Sequence, residues 1–180
     1  MTTDASGAKI PTSAEEDRFW QLIESAWAEL GPEPARIRHL LVDRTPDPDG
    51  EDDEALYALD AWLDKFTERL RAACAGLSAA ELTVLDRVLE RKLHDIDRED
   101  IHEFTDGSDD GFLYARGFIV AAGRSFYEAV KADPAKAIMD AEWEEMCYFF
   151  AHLHNSRFGD YPQTGSGISR ESHSNRAGWQ

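Results

Sequence analysis

The chain has 180 residues, enough for one domain whose hydrophobic core needs no disulfide or metal to hold it together. Its net charge of −17 opposes binding to nucleic acid or to an anionic membrane surface, whereas it is compatible with a basic protein partner. Two cysteines, Cys74 and Cys147, are too few for a disulfide framework, and we expect both to be reduced and buried.

The opening residues lack the basic start and the long apolar stretch of a secretion signal. No apolar run approaches the roughly 18 residues that a membrane-spanning helix needs, so we expect a cytoplasmic protein with no membrane segment. Residues 1–12 show no hydrophobic periodicity and are rich in small polar residues, which predicts a disordered lead-in.

Apolar residues at helical spacing begin after this lead-in. Ser13 followed by Glu16 matches a capping box, which predicts a first helix that ends before Gly31. A second, short helix is predicted over residues 33–42. Residues 43–54 combine prolines with a run of acidic side chains, so we expect a mobile acidic loop there.

The remaining helices are predicted from further apolar stripes and helix-start signals. They are a helix from about Asp52 to Gly76, a helix over 78–104 that opens with a Ser78–Glu81 capping box, a helix over 109–131 with Ser108 as its N-cap, and a last helix that starts at Asp133 and Pro134. No segment shows sustained two-residue alternation. The sequence therefore predicts an all-α, single-domain bundle of about five or six helices.

The helical domain is predicted to span residues 13–155. Residues 156–180 contain several glycines and serines, with little to bury apart from Tyr161 and Trp179. This composition predicts a flexible C-terminal tail.

Three groups of motifs follow one another along the chain. They are Phe19-Trp20 with Ile23-Glu24, Leu77-Ser78 to Leu82, and Ser108 to Phe112 with Arg116-Gly117, Gly123-Arg124 and Asp133-Pro134. Their order resembles the DUF4240 family, a bacterial domain of unknown function common in actinobacteria, over most of residues 16–137. The resemblance implies an all-helical intracellular domain and brings no activity with it.

The chain departs from the family pattern in two places. Ahead of the Asp-Asp-Gly turn, family members carry a pattern like Trp-Asp-Leu-Trp, where this chain has His94-Asp95-Ile96-Asp97. The acidic loop at 43–54 also looks like an insertion. If the polar replacement alters a shared groove, a function of relatives does not transfer to this chain.

The candidate binding residues lie on the predicted 109–131 helix. Arg116, Gly123 and Tyr127 share one flank, where Gly123 leaves a gap between a guanidinium and a phenol. The gap could admit a partner side chain, an anionic group or, as the favoured interpretation, a neighbouring helix. Asp109 and Asp110 belong to an incomplete calcium-loop pattern without its closing glutamate, and are expected mainly to stabilise the helix start.

Asp95, Glu99 and His102 are the candidate metal ligands, because they fall on one face of the predicted 78–104 helix. Di-iron bundles use two Glu-x-x-His units, whereas only one is present, and the neighbouring Arg98 would repel a cation. A solvated helix face is the favoured interpretation. No cofactor is expected.

The sequence leads to three functional hypotheses. The absence of a catalytic motif and the acidic, aromatic surface favour a non-catalytic protein-interaction or regulatory module that binds a basic protein, with no preference for an oligomeric state. The second is a small-molecule or metal-dependent enzyme with a site between helices 78–104 and 109–131. The third is a folded carrier of a recognised C-terminal peptide tail.

Overall fold

The computed structural model describes residues 2–3, 7–46, 54–105 and 107–179, so most of the predicted acidic loop lies outside the described residues. Eight α-helices lie in these ranges. They are α1 (Ser13–Ala28), α2 (Pro32–Asp43), α3 (Asp60–Ala73), α4 (Ala79–Asp95), α5 (Glu99–His102), α6 (Asp109–Ala121), α7 (Arg124–Ala132) and α8 (Glu144–Phe158).

Short elements accompany these helices. Strands β1 (Thr2–Thr3) and β2 (Lys9–Ile10) pair antiparallel, and the Lys9 backbone N–H donates to the carbonyl of Gly165 at 2.9 Å. Part of the predicted disordered lead-in is therefore paired. Three 3₁₀ turns cover Glu54–Leu59, Pro134–Lys136 and Arg176–Gly178.

The all-α prediction is confirmed, and two predicted helices each divide in two. The helix predicted over 78–104 ends at Asp95 and resumes only as the single turn α5. The helix predicted over 109–131 breaks at Gly123, whose φ of +101° is left-handed and cannot continue a helix. These two breaks account for the difference between the six expected and the eight observed helices.

Two of the predicted helix starts are observed at the predicted cap residues, and two are not. The Ser78–Glu81 capping box is present, and the Ser108 hydroxyl accepts a hydrogen bond from the Gly111 N–H at 2.9 Å. The first helix is capped one residue earlier than predicted, by Thr12. The last-helix prediction is wrong, because Pro134 opens only a 3₁₀ turn and α8 begins at Glu144.

Helix α8 packs against both α4 and α6 at the centre of the molecule, and α1 packs against α3 and α4. Gly117 of α6 lets α8 approach, because a Cβ there would collide with the Trp143 carbonyl oxygen. On the other side of the core, the Trp27 indole stacks on Phe66 with ring centroids 4.5 Å apart and donates to the Ala121 carbonyl at 2.7 Å.

Residues 159–179, here called the C-terminal segment, return from the end of α8 across α4 and α6. Gly159 ends α8 in a left-handed conformation. The segment was predicted to be a flexible tail, but the structure packs it against the domain, with Thr164 and Ser166 buried. The physical reason is polar: the segment covers charged side chains of the domain and supplies the hydrogen bonds that their burial requires.

Replacing Gly123 by alanine is expected to lower the free energy of unfolding by about 2 kcal/mol, because alanine is strained at this φ and its Cβ would displace Arg38 from Glu24. Gly76→Ala is the control, since a Cβ there meets no atom within 4 Å and is expected to change stability by less than about 0.5 kcal/mol. Urea denaturation measures both. Equal effects of the two substitutions would contradict the assigned role of Gly123.

Candidate functional site

Helix α4 buries both of its faces. Its apolar stripe faces the core, as the spacing of leucines and Val88 predicts. Asp86 and Glu90 flank this stripe, and Asp97 follows the helix end, yet these carboxylates are 2%, 9% and 0% exposed. The C-terminal segment covers them. We call the surface formed by Asp86, Glu90, Asp97, Arg116 and the Cys147 carbonyl the polar groove.

Asp97 holds the end of the C-terminal segment. Its Oδ1 accepts hydrogen bonds from the His173 backbone N–H and the Trp179 indole, both at 3.0 Å. Its Oδ2 accepts from the Asn175 backbone N–H at 2.8 Å and from the Ser174 hydroxyl at 3.2 Å. Four donors from seven consecutive residues therefore converge on one buried carboxylate.

These bonds keep Asp97 ionised. Burial by itself would raise the pKa of the carboxyl group. The N–H donors of Asn175, Trp179 and His173, together with the charge of Arg116, outweigh burial and lower the pKa of Asp97 below its usual value. Docking of the segment and the negative charge of Asp97 therefore stabilise each other.

Arg170 lies at the middle of the groove. Its Nη2 contacts Asp86 Oδ2 at 2.6 Å and Glu90 Oε1 at 3.3 Å, and its Nη1 donates to the Cys147 carbonyl. The Ser166 hydroxyl donates to the second oxygen of Glu90 at 2.6 Å. The segment thus places a cation, Arg170, and a hydroxyl donor, Ser166, against the two carboxylates of α4.

Arg116 joins α6 to both α4 and the C-terminal segment. Its side chain is fully buried, and Nη1 donates to the Leu93 carbonyl at 3.1 Å. Its Nη2 donates to the Arg170 carbonyl at 3.0 Å and to the Ser172 hydroxyl at 3.1 Å. Arg116 is therefore part of the groove wall, as a positioning group for the segment's backbone.

The gap predicted between Arg116 and Tyr127 is absent, because the helix that was expected to carry it breaks. Gly123 lies in the turn between α6 and α7, against Arg38 and Glu24. The buried Tyr127 hydroxyl donates to the Lys92 carbonyl at 3.1 Å, one residue before the carbonyl that Arg116 contacts. Both side chains bond to backbone carbonyls in the last turn of α4.

The acidic pair at the start of α6 lies at the edge of the groove. Asp109 and Asp110 are both exposed, in the first turn of α6. The Asp109 carbonyl accepts from the Ser172 hydroxyl at 2.6 Å, and its carboxylate lies 3.4 Å from His173 Nδ1. Asp109 therefore contacts the segment, whereas Asp110 only stabilises the helix start.

The predicted metal-ligand face is not formed, because α4 ends between its members. Asp95 pairs with Arg91 at 2.9 Å, and Glu99 begins the separate turn α5. His102 packs on the rings of Phe112 and Trp179, with centroids 4.9 and 5.3 Å away. Within the described ranges, no group of three or more His, Cys, Asp or Glu side chains is placed to hold a metal ion.

The model of the family described as "Protein of unknown function (DUF4240)" matches residues 53–156, more than half of the chain. The chain belongs to this family. A search of curated proteins and a search of solved structures found no match to this chain. The matched range starts after α1, so the Phe19-Trp20 motif of the predicted resemblance lies outside it.

Only part of the candidate site lies within the range that matches DUF4240. The groove residues on α4, α6 and α8 all fall inside residues 53–156, whereas the C-terminal segment that fills the groove follows the matched range.

In the part of the chain that the structure describes, no helix combines the length and the apolar character needed to cross a membrane.

Sequence reasoning missed Asp86, Glu90, Asp97 and Arg170. A carboxylate on the polar face of an amphipathic helix has the same pattern whether water or a distant segment covers it. One signal was available: a polar tail that ends in a tryptophan places a large apolar side chain where little else can bury it.

Asp97→Asn is expected to lower the free energy of unfolding by about 2 kcal/mol and to speed hydrogen exchange at the His173 and Asn175 amides, because hydrogen bonds to a charged acceptor are lost. Since the pKa of Asp97 is lowered, the stability difference between wild type and variant is fully present above about pH 4. It shrinks as the pH falls through the lowered pKa. Urea denaturation at several pH values measures it.

The control is Asp64→Asn, which removes the same charge from an exposed position on α3. It is expected to leave exchange in the C-terminal segment unchanged. Unchanged exchange in the Asp97 variant as well would show that the carboxylate does not hold the segment.

Proposed function

We propose that the protein is a non-catalytic interaction module whose polar groove recognises an extended segment of a basic protein partner. The observation that carries this proposal is the convergence of four donors from residues 173–179 of the C-terminal segment on buried Asp97. In this proposal the C-terminal segment is the internal occupant of the groove, and a partner segment competes with it.

The chemistry of the groove supports a recognition role. Buried carboxylates are costly unless cations or N–H donors pair with them, so only a segment that supplies such groups can cover the groove without that cost. The net charge of −17 would also speed the approach of a basic partner. Selectivity for positive segments therefore follows from both the local and the overall charge.

The covalent connection between the C-terminal segment and the domain determines how tightly a partner has to bind in order to displace the segment. A segment joined to its own groove acts at a high effective concentration, which a separate molecule has to match through concentration or additional contacts. The exposed connection formed by residues 159–163, with Gly159 and Pro162, is the place where the segment would swing away. In this proposal a partner can therefore enter the groove only while the C-terminal segment is displaced.

The enzyme hypothesis finds no support in the same region. Contacts of Arg116 and Tyr127 with the carbonyls of Leu93 and Lys92 fill the space between α4 and the α6–α7 pair. Burial raises the pKa of Cys147 to about 12, which keeps that thiol protonated and unreactive. The carrier hypothesis is not favoured either, since Trp179 is bound to the domain.

A cytoplasmic location belongs to this proposal. Cys74 and Cys147 are both free and buried, as expected, and reduced thiols are the usual state in that compartment.

The test is binding of the segment in trans. His173→Pro is expected to loosen the tethered segment while leaving the groove intact, because proline lacks the N–H that bonds to Asp97 and cannot adopt the φ of +65° found at His173. A fluorescein-labelled peptide of residues 163–180 is expected to bind this variant at least about tenfold more tightly than it binds the wild type, whose own segment competes. Fluorescence anisotropy measures the binding.

The matched control is the double variant Asp97→Asn with His173→Pro, in which the peptide loses its main acceptor. Binding there is expected to weaken by about tenfold or more. A peptide that fails to bind the His173→Pro variant saturably, or binds both variants equally, would refute the proposal.

A further inference from the structure

The pocket around Arg170 surrounds a guanidinium on several sides. Asp86 and Glu90 contact its Nη2, and the Cys147 carbonyl accepts from its Nη1. The Tyr148 ring lies against the guanidinium, with Cζ 5.6 Å from the ring centroid. We call these four groups the arginine slot. The slot lies on α4 and α8, within the DUF4240 range.

This arrangement matches a planar guanidinium better than an ammonium. The two Nη groups of an arginine point in fixed directions, so one can contact the carboxylates while the other reaches the carbonyl. The flat face remains free to lie on an aromatic ring. A lysine ammonium is a compact, strongly hydrated charge, and it cannot make the carboxylate, carbonyl and ring contacts together.

The cation in the slot comes from the C-terminal segment and not from the domain. Among the described residues, Asp86 and Glu90 form ion pairs only with Arg170. The nearby Arg87 directs its Nε to the Thr164 carbonyl at 2.7 Å instead. When the segment leaves, two neighbouring carboxylates, 2% and 9% exposed in the docked state, lose their counter-charge. A cation that binds in its place restores this counter-charge.

We infer that the arginine slot is a specificity pocket for an arginine side chain of the partner segment, which enters when Arg170 leaves. The inference rests on the proposed function and deepens it, because it names the side chain that the groove selects. Arg170 acts as the internal competitor for this pocket. A lysine-bearing segment of equal charge binds more weakly.

Chemical rescue tests the slot in the full chain. Arg170→Ala removes the two side-chain carbons beyond Cβ and the guanidinium, which together correspond to ethylguanidinium. Millimolar ethylguanidinium is expected to raise the Tm of this variant saturably and to slow hydrogen exchange at residues 170–175. Ethylammonium at the same concentration is expected to do neither.

Two controls separate slot binding from a general salt effect. Arg176→Ala removes an exposed arginine from the same segment and is expected to show no saturable response. Arg170→Ala combined with Asp86→Asn is expected to lose the response, because the strongest carboxylate contact is missing. Equal responses to ethylguanidinium and ethylammonium, or equal responses in all three variants, would overturn the inference.

A pair of labelled peptides then tests the partner role. The peptide of residues 163–180 and its Arg170→Lys version are titrated into the His173→Pro chain, and the lysine peptide is expected to bind about tenfold more weakly. Equal binding of the two peptides would overturn arginine selectivity and leave the proposed function standing. No binding of either peptide would refute the proposed function and the partner role of the slot together.

Discussion

The structure depends on how the carboxylates buried along and just beyond helix α4 find partners. Asp86, Glu90 and Asp97 cannot remain charged in that position without cations and N–H donors close by. The C-terminal segment supplies them through Arg170, Ser166 and the donors of residues 173–179. Arg116 then fixes the backbone of the segment from the opposite wall. The segment is therefore as much a part of the domain as any of the helices.

Much of the fold could be predicted because its helices carry strong local signals. The apolar stripes of α1, α3 and α4, and the caps at Ser78 and Ser108, depend only on residues within about one turn of each other. The helix breaks could not be predicted as surely. Gly123 within an apolar stripe is compatible with a continuous helix, and only its contacts with Arg38 and Glu24 favour the left-handed turn.

The candidate site was harder to predict for the same physical reason. Arg116 and Tyr127 were predicted as candidate binding residues, but both donate to backbone carbonyls of α4, and backbone acceptors leave no pattern in a sequence. The pairing of Asp97 with residues 173–179 spans more than seventy positions, since His173 lies 76 positions after Asp97. Composition alone made that stretch resemble a solvated tail, because its glycines and serines bury little apolar surface.

The position of the C-terminal segment also orders events in time. All eight helices precede it in the chain, and the contact between Arg170 and Asp86 closes a loop of 84 residues. Helices form from local contacts faster than such distant pairings, so the helices that carry the groove residues form before the segment docks. During that interval on the folding pathway, water rather than Arg170 and the backbone N–H groups of the segment surrounds the carboxylates of the polar groove.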